Sequence, residues 1–86
     1  MINEMTIEHN SSDVQHLQWV HGLLNYHTDL EDRTVTVISG EGWQFQYEGE
    51  NPIDMTKDLV IEIPANKSHK IIKGTTDLVV TIEIKE

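Results

Sequence analysis

The stretch that most restricts what this chain can become is Leu59 to Lys73, LVIEIPANKSHKIIK. Leu59, Ile61 and Ile63 fall on one side of an extended chain and Val60 and Glu62 on the other, the period-two pattern of a strand with one buried face. That strand stops at Pro64, which has a fixed φ and no N–H to give to a sheet. Ala65, Asn66, Lys67 and Ser68 then read as a tight connection, with Asn66 suited to a positive φ. His69 opens a second strand. It shares a face with Ile71 and Lys73, so an inward Ile71 brings the imidazole inward too, near the open end of the space that Ile71 helps to fill.

A chain of 86 residues has room for one core and a thin stability margin, since at this size only roughly 60% of the unfolded surface is buried. We therefore expect residues 1–86 to form a single domain, with its core in 14–86 and 1–13 as a flexible arm or an edge strand. Six Lys and Arg against fifteen Asp and Glu give a net charge of −9. A field of that sign repels phosphate backbones and anionic lipid, so neither nucleic acid nor membrane is an expected partner. The charge is uneven: Arg33 is the only Lys or Arg up to Asn51, whereas Lys57, Lys67, Lys70, Lys73 and Lys85 lie in the last third. Without cysteine there is no disulfide, iron–sulfur or zinc-thiolate chemistry. The N-terminal stretch is polar and acidic, and no apolar run approaches the ~20 residues of a spanning helix. The expectation is a soluble, cytoplasmic protein.

Along the chain, Met5 and Ile7 alternate within an otherwise polar start, and Asn10-Ser11-Ser12-Asp13 reads as a turn. Val14 to Leu24, VQHLQWVHGLL, carries two patterns. Leu17, Val20 and Leu24 fit a helix, whereas Leu17 and Trp19 fit a strand. We read it as a strand because every later segment is β, with Trp19 in the core and His16 and His21, like His9, at the surface. Thr34 to Ile38 is a β-branched strand with Val35 and Val37 on one face. Ser39-Gly40-Glu41-Gly42 reads as a hairpin turn. Trp43, Phe45 and Tyr47 form an aromatic stripe on the next strand. A long turn runs from Glu48 to Thr56, Gly74-Thr75-Thr76 is expected to close a hairpin, and Leu78, Val80, Ile82 and Ile84 alternate in the last strand. Six or seven short strands separated by turns argue for an all-β sandwich or barrel.

Two short motifs narrow this further. Asp58, an apolar strand, Pro64-Ala65-Asn66 and His69 resemble the second motif of the cupin superfamily, an acidic residue, a strand, Pro-x-Gly and a histidine. Upstream, Gly22, His27-Thr28-Asp29, Arg33 and Gly40 stand where the first cupin motif has Gly, His-x-His, Glu and Gly. The resemblance implies a small double-stranded β-helix, a jelly-roll barrel, with a ligand site inside and a tendency to form homodimers. Sheet edges in need of cover point the same way. Val79 and Met55 are candidates for burial against such a partner.

Cupins that bind metal hold a divalent ion through the two histidines and glutamate of the first motif and the histidine of the second. By resemblance those positions are His27, Asp29, Arg33 and His69. Imidazole and carboxylate suit Fe, Mn, Ni or Zn. Arg33 departs from the pattern, because a guanidinium cannot ligate and its charge opposes a nearby cation. Arg33 shares the face of Val35 and Val37, so its side chain starts inward, where an arginine needs a carboxylate or an anion. Asp29 is one candidate partner. Glu31 and Asp32 are the alternatives if Arg33 turns to solvent.

Two function classes remain. In the first, Arg33, His69, His27, Trp43 and Tyr47 bind a small anionic or sugar-like molecule without catalysis, drawn in by Lys67, Lys70 and Lys73. In the second, His27, Asp29 and His69 hold a divalent metal for isomerase or dioxygenase chemistry. The sequence carries no cysteine nucleophile, G-x-S-x-G elbow, phosphate-binding glycine loop or H-E-x-x-H motif.

Overall fold

The computed structural model describes residues 2–85. Seven strands and one helix follow in order: β1 (Ile2–Ile7), α1 (Val14–Leu24), β2 (Asp32–Ser39), β3 (Gln44–Tyr47), β4 (Ile53–Asp54), β5 (Val60–Ile63), β6 (His69–Ile72) and β7 (Leu78–Lys85). They form two antiparallel sheets, one ordered β1-β7-β2-β5 and the other β4-β3-β6. Both contribute to one core. Val35 and Val37 of β2, Ile61 and Ile63 of β5, and Leu78 and Val80 of β7 meet Phe45 of β3, with Trp43 and Met55 beside it. The period-two faces expected for β2, β5 and β7 are those that are buried.

The N-terminal stretch is an edge strand rather than an arm. β1 pairs with β7 from Ile2 opposite Glu83 to Ile7 opposite Leu78, and Ile7 is buried. Met55 is core, with 4% of its surface exposed, so it is not available to a partner in the way the sequence suggested.

Val14–Leu24 is helical, and the strand reading of it is corrected. Asp13 caps the helix, its carboxylate accepting from the backbone N–H of Gln15 at 2.9 Å and of His16 at 3.4 Å. Such a cap satisfies donors that no helical carbonyl can reach. Val20 is buried, and Leu23 and Leu24 pack against the core, so one helical stripe decides the conformation. Trp19, expected inside, is 36% exposed and His21 lies in solvent.

A second correction concerns connectivity. β2 and β3, and again β6 and β7, were expected to be hairpins, yet each pair is divided between the two sheets. The Gly40–Gly42 turn and the Gly74 turn instead carry the chain from sheet to sheet. Glycine at 40 and 42 follows from φ values of 143° and 76°. At Gly74 the demand is for space. A Cβ there would overlap the Glu41 carbonyl oxygen and the Trp43 ring, and would lie 2.6 Å from the Trp43 backbone nitrogen. The hairpin that does form joins β3 to the two-residue β4, Gln44 facing Asp54 and Phe45 facing Ile53.

Candidate functional site

Three backbone hydrogen bonds bring the two motifs together. His27 and His69 exchange N–H···O bonds of 3.0 Å in each direction, and the N–H of Asn66 donates to the Asp29 carbonyl at 2.7 Å. Asn66 adopts φ 64°, the left-handed turn expected after Pro64, and that turn aims its N–H at the first motif. Asp32 adds a side-chain link by accepting from the Ala65 N–H at 2.7 Å.

The side chains converge accordingly. His69 is buried, 4% exposed, on the inner face of β6. Its ring lies 4.4 Å from that of His27, edge on, and stacks on Phe45 at 5.6 Å. Asp29 places one carboxylate oxygen 3.3 Å from Nε2 of His69 and the other 3.6 Å from a terminal nitrogen of Arg33. Arg33 also lies 3.4 Å from Glu31. Its guanidinium therefore spans the partner expected inside and one of those expected outside. Its buried Nε–H has no acceptor among the described residues.

The protonation pattern follows from donor chemistry. Nδ1 of His69 faces the Lys67 carbonyl at 2.8 Å and Nδ1 of His27 faces the Asn25 carbonyl at 2.9 Å. A carbonyl can only accept, so each Nδ1 carries the proton and each Nε2 of a neutral ring is a lone pair. Burial, the largest influence, pulls the His69 pKa below the usual histidine value. The hydrogen bond to Lys67 and the Asp29 charge oppose this, while His27 and Arg33 reinforce it. A neutral His69 thus turns a lone pair toward a carboxylate oxygen, an arrangement that calls for a proton or a metal ion between them. One ligand atom each from His27, Asp29 and His69 lie within 4.8 Å of one another. Two imidazoles fixed by backbone carbonyls and one carboxylate are a donor set suited to a divalent transition metal. The residues fit such an ion, with Arg33 reducing the affinity.

These groups form one patch on the wall of a cavity of about 110 Å³ inside the barrel. His27, Asp29, Arg33 and His69 are its polar lining, and hydrophobic side chains make the rest, among them Phe45 and, from α1, Trp19 and Leu23. Of the candidates named from sequence, Trp43 and Tyr47 are not on this wall. Trp43 is 1% exposed and donates from its indole to the Thr76 carbonyl at 2.7 Å. The Tyr47 hydroxyl donates to the Glu62 carbonyl, and its ring packs edge on against Phe45 at 4.9 Å. Lys67 lies over that ring and 3.5 Å from Glu50, and Lys70 lies over Tyr26. Phe45 was legible as part of the aromatic stripe. Trp19 and Leu23 reach the cavity through the helix that the strand reading had removed.

No protein-family model and no curated protein matches the chain. Solved structures do. A cupin-2 domain containing protein from Shewanella frigidimarina superposes with a TM-score of 0.61 at 16% identity, over 98% of this chain and 69% of that one. A cupin domain from Bordetella pertussis gives 0.53 at 23% identity, over 71% of this chain and 67% of that one. The likeness establishes the cupin fold, as the two motifs implied.

Proposed function

We propose that this chain binds a small anionic or sugar-like molecule inside its barrel, with Arg33, His69 and His27 as the anchoring groups, and acts as a binding module rather than a catalyst. The observation that carries this reading is the clustering of the cavity's four polar side chains into one patch of its wall. Polar groups so placed orient a ligand while the remaining wall supplies contact area. The Arg33–Asp29 pair supports a binding role, because it engages the carboxylate that a metal centre would use.

A second reading, a metal-dependent enzyme of isomerase or dioxygenase type, is favoured by one observation: both ring Nδ1–H groups are committed to carbonyls, which frees both Nε2 lone pairs. His27, Asp29 and His69 would hold the ion. When bound there, a divalent metal supplies Lewis-acid polarisation of a ligand oxygen. Asn25 and Lys67 fix the two imidazoles by accepting from Nδ1, and Arg33 offers N–H donors beside them.

Elemental analysis separates the readings. Protein purified without tag or chelator is assayed as isolated, then after incubation with Fe, Mn, Ni and Zn. A binding module carries no stoichiometric metal, and Arg33→Glu, which restores a carboxylate at the ligand position, creates an affinity the parent lacks. A near-stoichiometric metal that His69→Ala removes overturns the first reading in favour of the second. If neither substitution alters metal content, these side chains do not form the site.

A further inference from the structure

The cavity wall bears on the kind of molecule it takes, an inference that rests on the binding reading above. Outside the polar cluster the lining includes Val35, Ile63, Leu78 and Val80 in addition to Phe45 and Leu23. Apart from the Trp19 indole, none of the wall's hydrophobic side chains carries a strong hydrogen-bonding group. A sugar placed there would bury hydroxyls against hydrocarbon, each unpaired one lowering affinity by roughly tenfold or more. The volume is small as well. At about 110 Å³ it is of the same order as an engineered cavity of roughly 150 Å³ that admits benzene. That is room for a hydrocarbon body of no more than about six carbons.

At the polar patch both Nδ1–H groups already have carbonyl partners, the Nε2 atoms of His27 and His69 are acceptors, and Asp29 lies between Arg33 and His69, so the donor on offer is Arg33. The buried polar side-chain atom left without a partner among the described residues is a donor, Nε of Arg33. Its charge is shared with Asp29 and Glu31 at 3.6 and 3.4 Å, longer than the usual charge-assisted hydrogen bond. A carboxylate on the ligand meets this need by accepting from Nε–H and a terminal N–H together, the forked geometry guanidinium favours.

We infer that the ligand class is the short monocarboxylates with an apolar body, aromatic or aliphatic and free of hydroxyls, held with the carboxylate on Arg33 and the hydrocarbon in the barrel.

Calorimetric titration of the full chain tests this with benzoate, hexanoate, benzyl alcohol, gluconate, glucose and phenethylamine as probes. Benzoate and hexanoate are expected to bind. Benzyl alcohol, of similar shape and uncharged, should bind roughly 10- to 100-fold more weakly, and gluconate, glucose and phenethylamine more weakly still. Arg33→Gln should weaken benzoate far more than benzyl alcohol; equal losses for both overturn Arg33 as the anchor. Leu23→Trp, which fills the cavity from the helix side, should abolish benzoate binding, and retained binding places the ligand elsewhere. Tighter binding of gluconate, glucose or phenethylamine than of benzoate overturns the ligand class while leaving the cavity as a binding site. Failure of every probe overturns both.

Discussion

Gly74 gives the most sharply quantified prediction. A methyl group added there meets the Glu41 carbonyl oxygen, the Trp43 backbone nitrogen and the Trp43 ring. Two of these obstacles are backbone, and the third is a ring that is 1% exposed and tethered through its indole N–H to Thr76. None has space to retreat. Overpacking of a core position usually destabilises by about 1–3 kcal/mol, and obstacles this rigid put Gly74→Ala at the upper end, about 3 kcal/mol. A domain of this size is stable by about 4–13 kcal/mol, so the substitution removes between a quarter and most of the total. The melting temperature should fall by about 12–24 °C. Gly22→Ala is the matched control. Beyond its chain neighbours and the helix's own backbone no atom lies within 4 Å of the added methyl, and the site is inside α1, so helix propensity should make it neutral to about 1 kcal/mol stabilising. Thermal and urea unfolding of the two variants, followed by Trp fluorescence, measure both effects. A Gly74→Ala protein within about 1 kcal/mol of the parent would refute the packing argument at the sheet-to-sheet crossing.

Two further outcomes can be checked in the same way. Asp13→Ala leaves the N–H groups of Gln15 and His16 without their carboxylate, and should cost about 1 kcal/mol in urea unfolding, with Asp13→Asn close to the parent. For His69 the sign follows from its lowered pKa. As pH falls through about 6.5 the unfolded chain takes up a proton that the native imidazole resists, so stability falls, and the loss levels off below the native pKa. Chelator-treated protein should therefore show a His69 ring resonance titrating below the usual histidine range. His69→Gln should flatten the decline in unfolding free energy between pH 7 and 5. A His69 that titrates above the usual range would show that the Asp29 pair outweighs burial.

Much of the site was legible because its determinants are local. Pro64 and Asn66 specify the turn, period two places His69 inward with Ile71, and the same alternation puts Arg33 on the face of Val35 and Val37. The Arg33–Asp29 contact follows from a buried charge needing a counter-charge. What was not legible depends on partners distant in sequence. Glycine turns announce a reversal but not which sheet receives the next strand, so two crossings looked like hairpins. α1 has its local signals, Asp13 as cap and the Leu17, Val20, Leu24 spacing, but the β character of every later segment points the other way. Trp43 and Tyr47 stand out in the sequence as members of the aromatic stripe, but their polar atoms are engaged with the Thr76 and Glu62 carbonyls, and the ring of that stripe beside His69 is the purely apolar Phe45.

Beside the side-chain link from Asp32 to Ala65, three bonds that join the two motifs run through main chain: the paired N–H···O bonds of His27 with His69, and the bond from Asn66 to the Asp29 carbonyl. Positions 27, 29 and 69 are therefore held by atoms that every residue except proline possesses. Their side chains can be exchanged without dissolving the arrangement that presents them. A scaffold built this way separates where chemistry happens from which chemistry it is. Ion pair, metal donors or an apolar plug become alternative fillings of one frame, each within a few substitutions of the next, and Arg33 in place of a carboxylate is one such filling.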